Sequence, residues 1–171
     1  MWAGLAAVRP EIEYVAIHDA ARPLIASKWI DDVFAAAMVD GAAIPAVRVA
    51  STLKREAADG TIDSTVAREG LWAAQTPQVF RRDLLVEAYA KRGDLVATDE
   101  AQLVEQLGHG VRLVPGSPMN IKITTQEDLN MARALLKSVP QDDMLDRLHP
   151  FSEVDPKSIR DKPLDFDQLI E

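Results

Sequence analysis

The sequence predicts an α/β fold, because short apolar strands alternate with helical segments along most of the chain. The apolar segment Tyr14–His18 precedes a helical segment with one apolar face, and the apolar, β-branched segment Ala42–Val49 follows it. This alternation indicates a mostly parallel sheet with right-handed crossovers. A second observation is an Asp59-Gly60 pair between two polar strands, which predicts a hairpin outside the core.

The composition is ordinary for a globular domain. The chain has 171 residues, of which 47% are hydrophobic, and this length is enough for one domain with a core. The sequence shows neither a membrane-spanning segment nor a leader like a signal peptide, so we expect a cytoplasmic protein. The absence of cysteine excludes disulfides and thiolate catalysis. A net charge of −8 argues against nucleic acid as a partner.

The first elements are the end of a helix, a strand and a long helix. Trp2–Val8 has the pattern of the end of an amphipathic helix, and Tyr14–His18 is predicted to be a central strand. Ser27 is a suitable N-cap for a helix that runs to Met38, and Gly41 lies past the end of that helix. Ala42–Val49 is then the second strand.

A polar hairpin follows the second strand. Its two strands are predicted at Ser51–Glu56 and Thr61–Ala67, on either side of Asp59-Gly60. Both strands are too polar to lie in a hydrophobic core. We therefore expect residues 48–70 to project from the domain as an arm.

After the arm the chain returns to the sheet. Leu71–Phe80 is predicted to be a strand and Asp83–Lys91 a helix. Thr98 is predicted to be the N-cap of the next helix, whose acidic first turn suits the helix dipole and which ends near Gly108.

Two short strands and a last helix complete the domain. The strands are predicted at Val111–Val114 and Asn120–Ile123. Thr124 and Glu127 have the spacing of a capping box at the start of the last helix. The apolar residues of that helix share one face, namely Leu129, Ala132, Leu135 and Leu136.

The last part of the chain, residues 140–171, differs in composition from the rest. It holds nine Asp/Glu against four Lys/Arg, a net charge of −5, together with four of the ten prolines. It has no sustained periodicity. We expect a disordered or loosely docked acidic tail, whose apolar residues could alternatively dock on a partner.

The hexapeptide His18–Pro23 is the first candidate functional motif, because it directly follows an apolar strand. In open α/β sheets, ligands bind where strands end. Asp19 can hold a metal ion or accept a hydrogen bond from a hydroxyl, and Arg22 can bind a phosphate with two hydrogen bonds. The alternative is that Asp19 and Arg22 pair only with each other and hold the loop.

Further polar clusters lie at other strand ends and helix starts. They are Thr52 with Lys54-Arg55, Arg68–Trp72, Gln75–Gln78, Thr98–Glu100 and Asn120–Thr124. Each has a simpler explanation when taken alone, because Thr76-Pro77 could be only a turn, Thr98 only a cap and Lys122 a solvated lysine. The histidines show no metal-ligand spacing, which argues against a zinc site.

In this order and spacing, the clusters resemble the 2-C-methyl-D-erythritol 4-phosphate cytidylyltransferases of the non-mevalonate isoprenoid pathway. The resemblance runs from about Gly4 to Leu136 and rests on HDAARP, STLKR, REGLWAAQTPQVF, TDEA and NIKIT, which lie in one register. Ribitol-5-phosphate cytidylyltransferases share much of this pattern. Ala20-Ala21 and Thr98–Ala101 look closer to the methylerythritol family.

The resemblance implies a fold and an activity. The fold is a three-layer, Rossmann-like nucleotidyltransferase domain over residues 1–139 with a projecting β-hairpin arm. The activity is cytidylyl transfer from CTP to methylerythritol phosphate with release of pyrophosphate, and with Mg²⁺ on the triphosphate. In such transfers the protein mainly positions the reactants and neutralises charge. A homodimer that forms through the arm is also implied.

The resemblance also assigns roles to seven residues. The candidate catalytic residues are Asp19, Lys122 and Arg68, and the candidate substrate-binding residues are Arg22, Thr52, Thr76 and Thr98. Asp19 and Arg22 would hold the erythritol hydroxyls, with Thr98 adding a hydroxyl contact, and Asp19 is also a candidate metal ligand. Lys122 and Thr76 would bind the substrate phosphate. Arg68, with Thr52, would reach across a dimer from the arm.

One part of the family pattern does not occur in this sequence. These enzymes cradle the triphosphate on a Gly-rich loop of Leu-Ala-Ala-Gly type, whereas Gly108-His109-Gly110 here lies at a predicted helix end. The sequence thus looks like a family member that is incomplete at its N-terminus, either because its start is assigned too far downstream or because the gene is truncated. We expect it to expose an unpaired sheet edge, to bind CTP poorly and to have little activity alone.

Two other functions stay open at this point. The chain could be a non-catalytic module that binds the acceptor substrate, or dimerises with an intact homologue through the arm. It could also be a ribitol-5-phosphate cytidylyltransferase, which supplying each acceptor in turn would distinguish.

Overall fold

The structure is a computed structural model that describes residues 2–140. The helices of this part are α1 (Trp2–Ala7), α2 (Ser27–Asp40), α3 (Arg82–Lys91), α4 (Glu100–Gln106) and α5 (Gln126–Leu135). The strands are β1 (Tyr14–Ile17), β2 (Ala42–Arg48), β3 (Leu53–Glu56), β4 (Ile62–Val66), β5 (Trp72–Ala74), β6 (Gln78–Arg81) and β7 (Arg112–Pro115). The tail predicted for residues 140–171 lies, apart from Pro140, outside the described residues.

The central sheet is mixed rather than mostly parallel, so that expectation is wrong for the described strands. β6 lies between β1 and β2 and is antiparallel to both, and β5 is also antiparallel to β2. Only β7 pairs with β2 in parallel among these strands. The arm explains the difference, since it leaves the sheet at the end of β2 and returns at the start of β5. Strands joined by such a reversal run antiparallel.

The predicted α/β class is confirmed, and helices cover both faces of the sheet. Neighbouring residues of a strand point to opposite faces, so Ala43 and Val79 pack with Val33 and Ala37 of α2. On the other face, Ala42, Ile44 and Phe80 pack with apolar residues of α1, α3 and α4. A third cluster forms where α5 meets the segment before α2. The result is a sheet between two helical layers.

β1 has one strand neighbour among the described strands, so the prediction of a central strand is wrong for this part of the chain. Residues Tyr14–Ile17 pair with β6 along their length. The opposite edge of β1 has no strand partner within residues 2–140. His18, predicted as the last strand residue, lies just after β1, where the chain turns into the HDAARP loop.

Three predicted helix caps are displaced by one residue. Ala26, not Ser27, is the N-cap of α2, and its carbonyl accepts hydrogen bonds from the next turn. Asp99, not Thr98, caps α4 by accepting from the backbone N–H of Gln102. Thr125, not Thr124, caps α5. A Ser, Thr or Asp near a helix start is a cap only where its backbone is extended, and the sequence pattern does not resolve that position.

The capping box of α5 is formed by Thr125 and Asp128 rather than Thr124 and Glu127. The Thr125 hydroxyl accepts from the backbone N–H of Asp128, and the Asp128 carboxylate accepts from the backbone N–H of Thr125. The same carboxylate also binds the backbone N–H and the hydroxyl of Thr124. A reciprocal pair of this kind satisfies N–H groups that have no partner inside the helix.

Two predicted strands differ from the structure. Leu71–Phe80 is not continuous, because a cis Thr76-Pro77 bond separates β5 from β6. Asn120–Ile123 is not a strand. It has one backbone hydrogen bond to the HDAARP loop, from Ile123 N to Ala21 O (2.8 Å), instead of a ladder. A single long-range bond of this kind is not visible in local sequence.

The arm forms as predicted. β3 and β4 pair with each other in a separate two-stranded antiparallel sheet, with an irregularity after Arg55. Gly60 turns the chain with a φ of +81°, a conformation that favours glycine. Most residues of both strands are exposed, including Ile62 at 65%. The polar arm therefore contributes little to the core of its own domain.

Helix α1 confirms the predicted amphipathic segment, with Leu5 buried against the sheet. No helix within residues 2–140 combines the length and the hydropathy needed to cross a membrane.

Candidate active site

Three loops meet beside the end of β1 and bring together four of the seven predicted site residues. Asp19 and Arg22 lie in the HDAARP loop, Thr76 lies between β5 and β6, and Lys122 lies before α5. The backbone N–H of Asp19 donates to the Thr76 hydroxyl (3.0 Å), and the Lys122 ammonium lies 3.2 Å from the Asp19 carboxylate. Residues more than 50 positions apart in sequence thus form one cluster, which we call the Asp19 cluster.

Two cations share a single oxygen of Asp19. Arg22 Nε and Lys122 Nζ both lie 3.2 Å from Oδ2 of the carboxylate. Burial acts to raise the pKa of Asp19, but the hydrogen bonds and charges of Lys122 and Arg22 outweigh it, so the pKa lies below its ordinary value. With one carboxylate and two cations, these three side chains carry a net charge of +1.

The two cations differ in exposure. The side chain of Arg22 is 12% exposed, and its guanidinium also donates to the backbone carbonyl of Asn120 (2.7 Å). The side chain of Lys122 is 48% exposed. Asp19 and Arg22 do pair with each other, but not only with each other, because Asp19 also contacts Lys122 and Arg22 also contacts Asn120. Lys122 is the cation of this cluster that solvent and a ligand reach more easily.

His18 connects Thr76 to the HDAARP loop and was not predicted to be a site residue. Its Nδ1 lies 2.9 Å from the Thr76 hydroxyl and its Nε2 lies 3.0 Å from the carbonyl oxygen of Arg22. A carbonyl only accepts, so a neutral His18 must carry its proton on Nε2. Nδ1 then accepts the Thr76 hydroxyl proton, while that hydroxyl accepts from Asp19.

Two buried amides complete the surroundings of the cluster and were also missed by sequence reasoning. Gln75 is 6% exposed and Asn120 is 1% exposed. Asn120 donates from Nδ2 to the carbonyl of Thr76 (2.9 Å), and Gln75 donates to the carbonyls of Ser117 and Asn120. The available signal was their place in two of the polar clusters, where Gln75 directly precedes Thr76 and Asn120 lies two positions before Lys122.

Thr98 lies at the start of α4 and is not joined to the Asp19 cluster by any contact within the described residues. Its backbone N–H and hydroxyl both bind Oε1 of Gln102. The neighbouring Asp99 is held by Gln78, which pairs with Ile17 at the end of β1. Thr98 also lines an open cavity of about 430 Å³ with Tyr89, Arg92, Asp94 and Glu100.

Thr52 and Arg68 lie at the base of the arm, and within residues 2–140 neither contacts the Asp19 cluster. Arg68 donates to the backbone carbonyl of Ala50, on the opposite side of the arm. Nearby, the guanidinium of Arg48 lies 4.4 Å from the centre of the Trp72 ring. The structure therefore separates the seven predicted site residues into a central cluster of four, an arm pair and Thr98 at the start of α4.

The described residues contain no group of three or more His, Asp or Glu side chains placed to hold a metal ion. The candidate metal ligand Asp19 already has two cations against one carboxylate oxygen. A divalent cation at that oxygen would compete with both. Magnesium usually binds through one or two carboxylates together with phosphates and water, so a site of this kind depends on the phosphate groups of a ligand.

Comparisons with known proteins agree on one family. The family model described as IspD, 2-C-methyl-D-erythritol 4-phosphate cytidylyltransferase, matches residues 1–138. The chain is 47% identical over 137 residues to the protein of that name from Pelotomaculum thermopropionicum, covering 79% of this chain and 58% of the relative. It is 48% identical over 136 residues to the protein of the same name from Syntrophus aciditrophicus, covering 78% and 58%.

The same family is found among solved structures. The chain matches the crystal structure of 2-C-methyl-D-erythritol 4-phosphate cytidylyltransferase from Thermus thermophilus with a TM-score of 0.71 and 40% identity. The match covers 78% of this chain and 65% of that one. The chain spans about 58% of the length of the curated relatives described above.

Proposed function

Because the chain belongs to the 2-C-methyl-D-erythritol 4-phosphate cytidylyltransferase family, we propose that it serves cytidylyl transfer from CTP to methylerythritol phosphate. The enzyme is a nucleotidyltransferase that releases pyrophosphate and supplies the non-mevalonate route to isoprenoid precursors. The observation that carries this proposal is the Asp19 cluster, which holds a net positive charge at the end of a strand.

The reaction needs an anionic acceptor beside the α-phosphorus of CTP. An oxygen of the acceptor phosphate attacks that phosphorus, a new P–O bond forms, and the bond to the bridging oxygen breaks as pyrophosphate leaves. Little covalent work falls to the protein, so catalysis depends on placement and charge. A cluster with a net charge of +1 stabilises the phosphate groups that meet there.

The difference in exposure supports a division of roles within the cluster. Lys122 is the proposed phosphate ligand and charge stabiliser, because its ammonium is a compact charge that is partly open to solvent. Asp19 would accept from an erythritol hydroxyl, while Arg22 keeps the carboxylate in place. When His18 is neutral, the Thr76 hydroxyl donates to it, and Thr76 then donates to a phosphate only after that proton turns towards the ligand. Thr98 would add a hydroxyl contact from α4.

Magnesium is proposed to enter with CTP as part of the nucleotide substrate. This fits the carboxylates of residues 2–140, which form no cluster able to hold a metal by themselves. When bound, the ion would neutralise charge on the triphosphate. The tasks of the chain's own residues, namely binding and orienting the acceptor, are independent of it.

We propose a homodimer in which the arm of one protomer completes the site of its partner. The arm extends as a separate polar sheet, and its residues Thr52 and Arg68 lie away from the Asp19 cluster of the same chain. A second copy is the simplest way to bring them to a site. The cytoplasmic location expected from the sequence stays a prediction.

The test is calorimetric titration of the purified 171-residue chain with methylerythritol phosphate, with ribitol 5-phosphate titrated in parallel. We expect methylerythritol phosphate to bind and ribitol 5-phosphate to bind more weakly. A folded chain that binds neither acceptor contradicts the proposal. A clear preference for ribitol 5-phosphate would instead assign the acceptor of the related family.

Pyrophosphate release from CTP and Mg²⁺ is then measured with each acceptor. Release that depends on methylerythritol phosphate would establish turnover by this chain. That the 171-residue chain alone binds CTP poorly stays a prediction, and acceptor binding without release is the result it implies. The same result fits the alternative of a binding module.

A further inference from the structure

The three buried polar side chains among residues 2–140 are all neutral amides, namely Gln75, Gln78 and Asn120. Burying an amide costs free energy unless its polar atoms find partners. Two of the three, Gln75 and Asn120, lie between the loops that carry the Asp19 cluster. The contacts of this pair therefore show what its burial achieves.

We propose that Gln75 and Asn120 are positioning residues that hold Arg22 and Thr76 in the geometry that binds the acceptor substrate. This inference rests on the proposed function and deepens it, since neither amide would touch the substrate. Asn120 acts twice: its Nδ2 donates to the carbonyl of Thr76 (2.9 Å), and its own carbonyl accepts from Arg22 Nη1 (2.7 Å).

Gln75 fixes the segment that presents the Asn120 carbonyl. Its Nε2 donates to the carbonyls of Ser117 (2.8 Å) and Asn120 (3.2 Å), and its Oε1 accepts from the backbone N–H of Ser117 (3.3 Å). Its own backbone N–H is bound to Pro45 of β2 (2.8 Å). The sheet thus holds Gln75, Gln75 holds the 117–120 segment, and that segment holds the Arg22 guanidinium.

Gly116 packs directly against the Gln75 side chain. A Cβ atom at Gly116 would lie 2.3 Å from Gln75 Oε1 and 3.2 Å from the backbone of Ala46. Gly116 is itself bonded to Ala46 through its backbone N–H (2.8 Å). The glycine is needed here because the Gln75 amide occupies the space that a side chain would fill.

The charge of the cluster explains why amides perform this task. Arg22 is held by one carboxylate and one neutral carbonyl. A second carboxylate in place of the carbonyl would remove the net charge of +1 on Asp19, Arg22 and Lys122, and with it the attraction for a phosphate. Neutral acceptors hold the guanidinium and leave that charge intact.

Asn120 itself points to a role other than stability. Its Oδ1 is buried and has no hydrogen-bond partner among the described residues. An unpaired buried acceptor is unfavourable, and an apolar side chain would avoid it. The donor on the same amide, bound to Thr76, is the contact that requires asparagine.

The test compares Gln75→Met with Gln78→Met. Methionine keeps the length of glutamine and removes its hydrogen-bonding groups. Gln78 is a matched control because it is also buried, at 2%, but holds Asp99 and the start of α4 instead of the loops of the cluster. Both variants lose a buried amide, but only Gln75→Met loses one that holds the loops of the cluster. Only Gln75→Met should therefore disturb Arg22.

The first readout needs no ligand. The rate at which the Arg22 Nη–H protons, one of which donates to the Asn120 carbonyl, exchange with water is measured by ¹⁵N–¹H NMR, with the exposed Arg9 as reference. In the wild type, we expect exchange at Arg22 to be on the order of tenfold slower than at Arg9. In Gln75→Met, the Arg22 rate should rise towards the Arg9 rate. Gln78→Met should leave it slow. Equal rates at Arg22 and Arg9 in the wild type, or no change in folded Gln75→Met, would overturn the inference.

The second readout is the affinity for methylerythritol phosphate, which should fall about tenfold in Gln75→Met. An unchanged affinity in Gln75→Met would also overturn the inference. A wild-type chain that binds no acceptor would reject the proposed function, and the exchange rates would still decide the positioning role. If Gln75→Met does not fold, Gly116→Ala displaces the same amide and should speed Arg22 exchange.

Discussion

The carboxylate of Asp19 has two cations on one oxygen, and this sharing gives each side chain of the cluster its own task. Arg22 is nearly buried and has a second acceptor in the Asn120 carbonyl, so it stabilises the loop. Lys122 is half exposed and contacts the Asp19 carboxylate. Lys122 therefore carries the more exposed positive charge of the cluster, and its loss should affect binding of the proposed acceptor more than folding.

We predict that Lys122→Gln lowers the affinity for methylerythritol phosphate at least tenfold while the chain stays folded. The variant removes the exposed positive charge and leaves the Asp19–Arg22 pair neutral. Contacts between a charged group and its partner typically contribute about 1.5–3 kcal/mol, which is tenfold or more in affinity. Calorimetric titration measures the affinity, and circular dichroism checks the fold.

Lys91→Gln is the control for this change. Lys91 is an exposed lysine that pairs with Glu87 on α3, outside the three loops of the Asp19 cluster. Its loss removes the same charge from the protein and should leave acceptor binding unchanged. If Lys122→Gln and the wild type had equal affinity for methylerythritol phosphate, Lys122 would not be a ligand of the acceptor phosphate.

Helix α5 begins at the loop that carries Lys122, and its N-terminal cap is a charged one. Asp128 accepts from the backbone and the hydroxyls of Thr124 and Thr125, and these hydrogen bonds lower its pKa from 3.8 to about 2. A carboxylate near a helix N-terminus also interacts favourably with the helix dipole. The cap anchors the segment that leads from Lys122 into the third hydrophobic cluster.

We predict that Asp128→Asn destabilises the chain at neutral pH and that the difference disappears in acid. The folded pKa of Asp128 is lower than its unfolded value, so its stabilisation is complete above about pH 4. It is lost as the pH falls towards 2, where the folded-state carboxylate becomes protonated. Urea unfolding of both proteins from pH 7 down to pH 2 measures the difference.

Glu127→Gln tests whether charge alone explains the effect. Glu127 lies in the same first turn and has the same charge, but Asp128 makes the capping box. We expect the free energy of unfolding of Glu127→Gln to stay close to that of the wild type from pH 7 to pH 2. A difference in the free energy of unfolding between Asp128→Asn and wild type that stays constant from pH 7 to pH 2 would contradict the dependence of stability on the protonation of Asp128.

The sheet order brings the loops of the Asp19 cluster together. β6 lies between β1 and β2, so the turn before β6 is adjacent to the loop that follows β1. Thr76 in that turn can then bind the backbone of Asp19. The arm, by contrast, leaves the sheet between β2 and β5 and carries Thr52 and Arg68 outwards, which suits a contact with a second molecule.

At this scale we predict that Arg68 acts on the site of the partner protomer. A chain with Asp19→Asn and a chain with Arg68→Ala should each bind methylerythritol phosphate poorly. Mixed dimers contain one site with both residues intact, so an equimolar mixture should recover about a quarter of the wild-type binding sites. Calorimetric stoichiometry counts the sites.

The result of this mixing experiment depends on whether the chain forms a dimer. Sedimentation velocity measures the oligomeric state beforehand. A dimer that becomes monomeric when residues of the arm are deleted supports the proposed interface. A monomeric wild type, or a mixture that binds no more acceptor than its two components, would contradict action across a dimer.

Local chemistry made much of the fold predictable. The alternation of strands and helices, the glycine past α2 and the Asp59-Gly60 turn all depend on contacts within a few residues. The displaced caps at Ala26, Asp99 and Thr125 show the limit of such reasoning, because the backbone angles select the N-cap position even where, as at Ala26, the better capping residue is its neighbour.

By itself, the sequence determined the α/β class, the polar arm and the motifs that carry Asp19, Arg22, Thr76 and Lys122. Tertiary structure alone decided that β5 and β6 run antiparallel to β2. It also decided that the Arg22 guanidinium donates hydrogen bonds to Asp19 and to a carbonyl 98 positions away. The physical reason is range: helices, turns and caps form between near neighbours, whereas strand order and loop contacts depend on how the whole core packs.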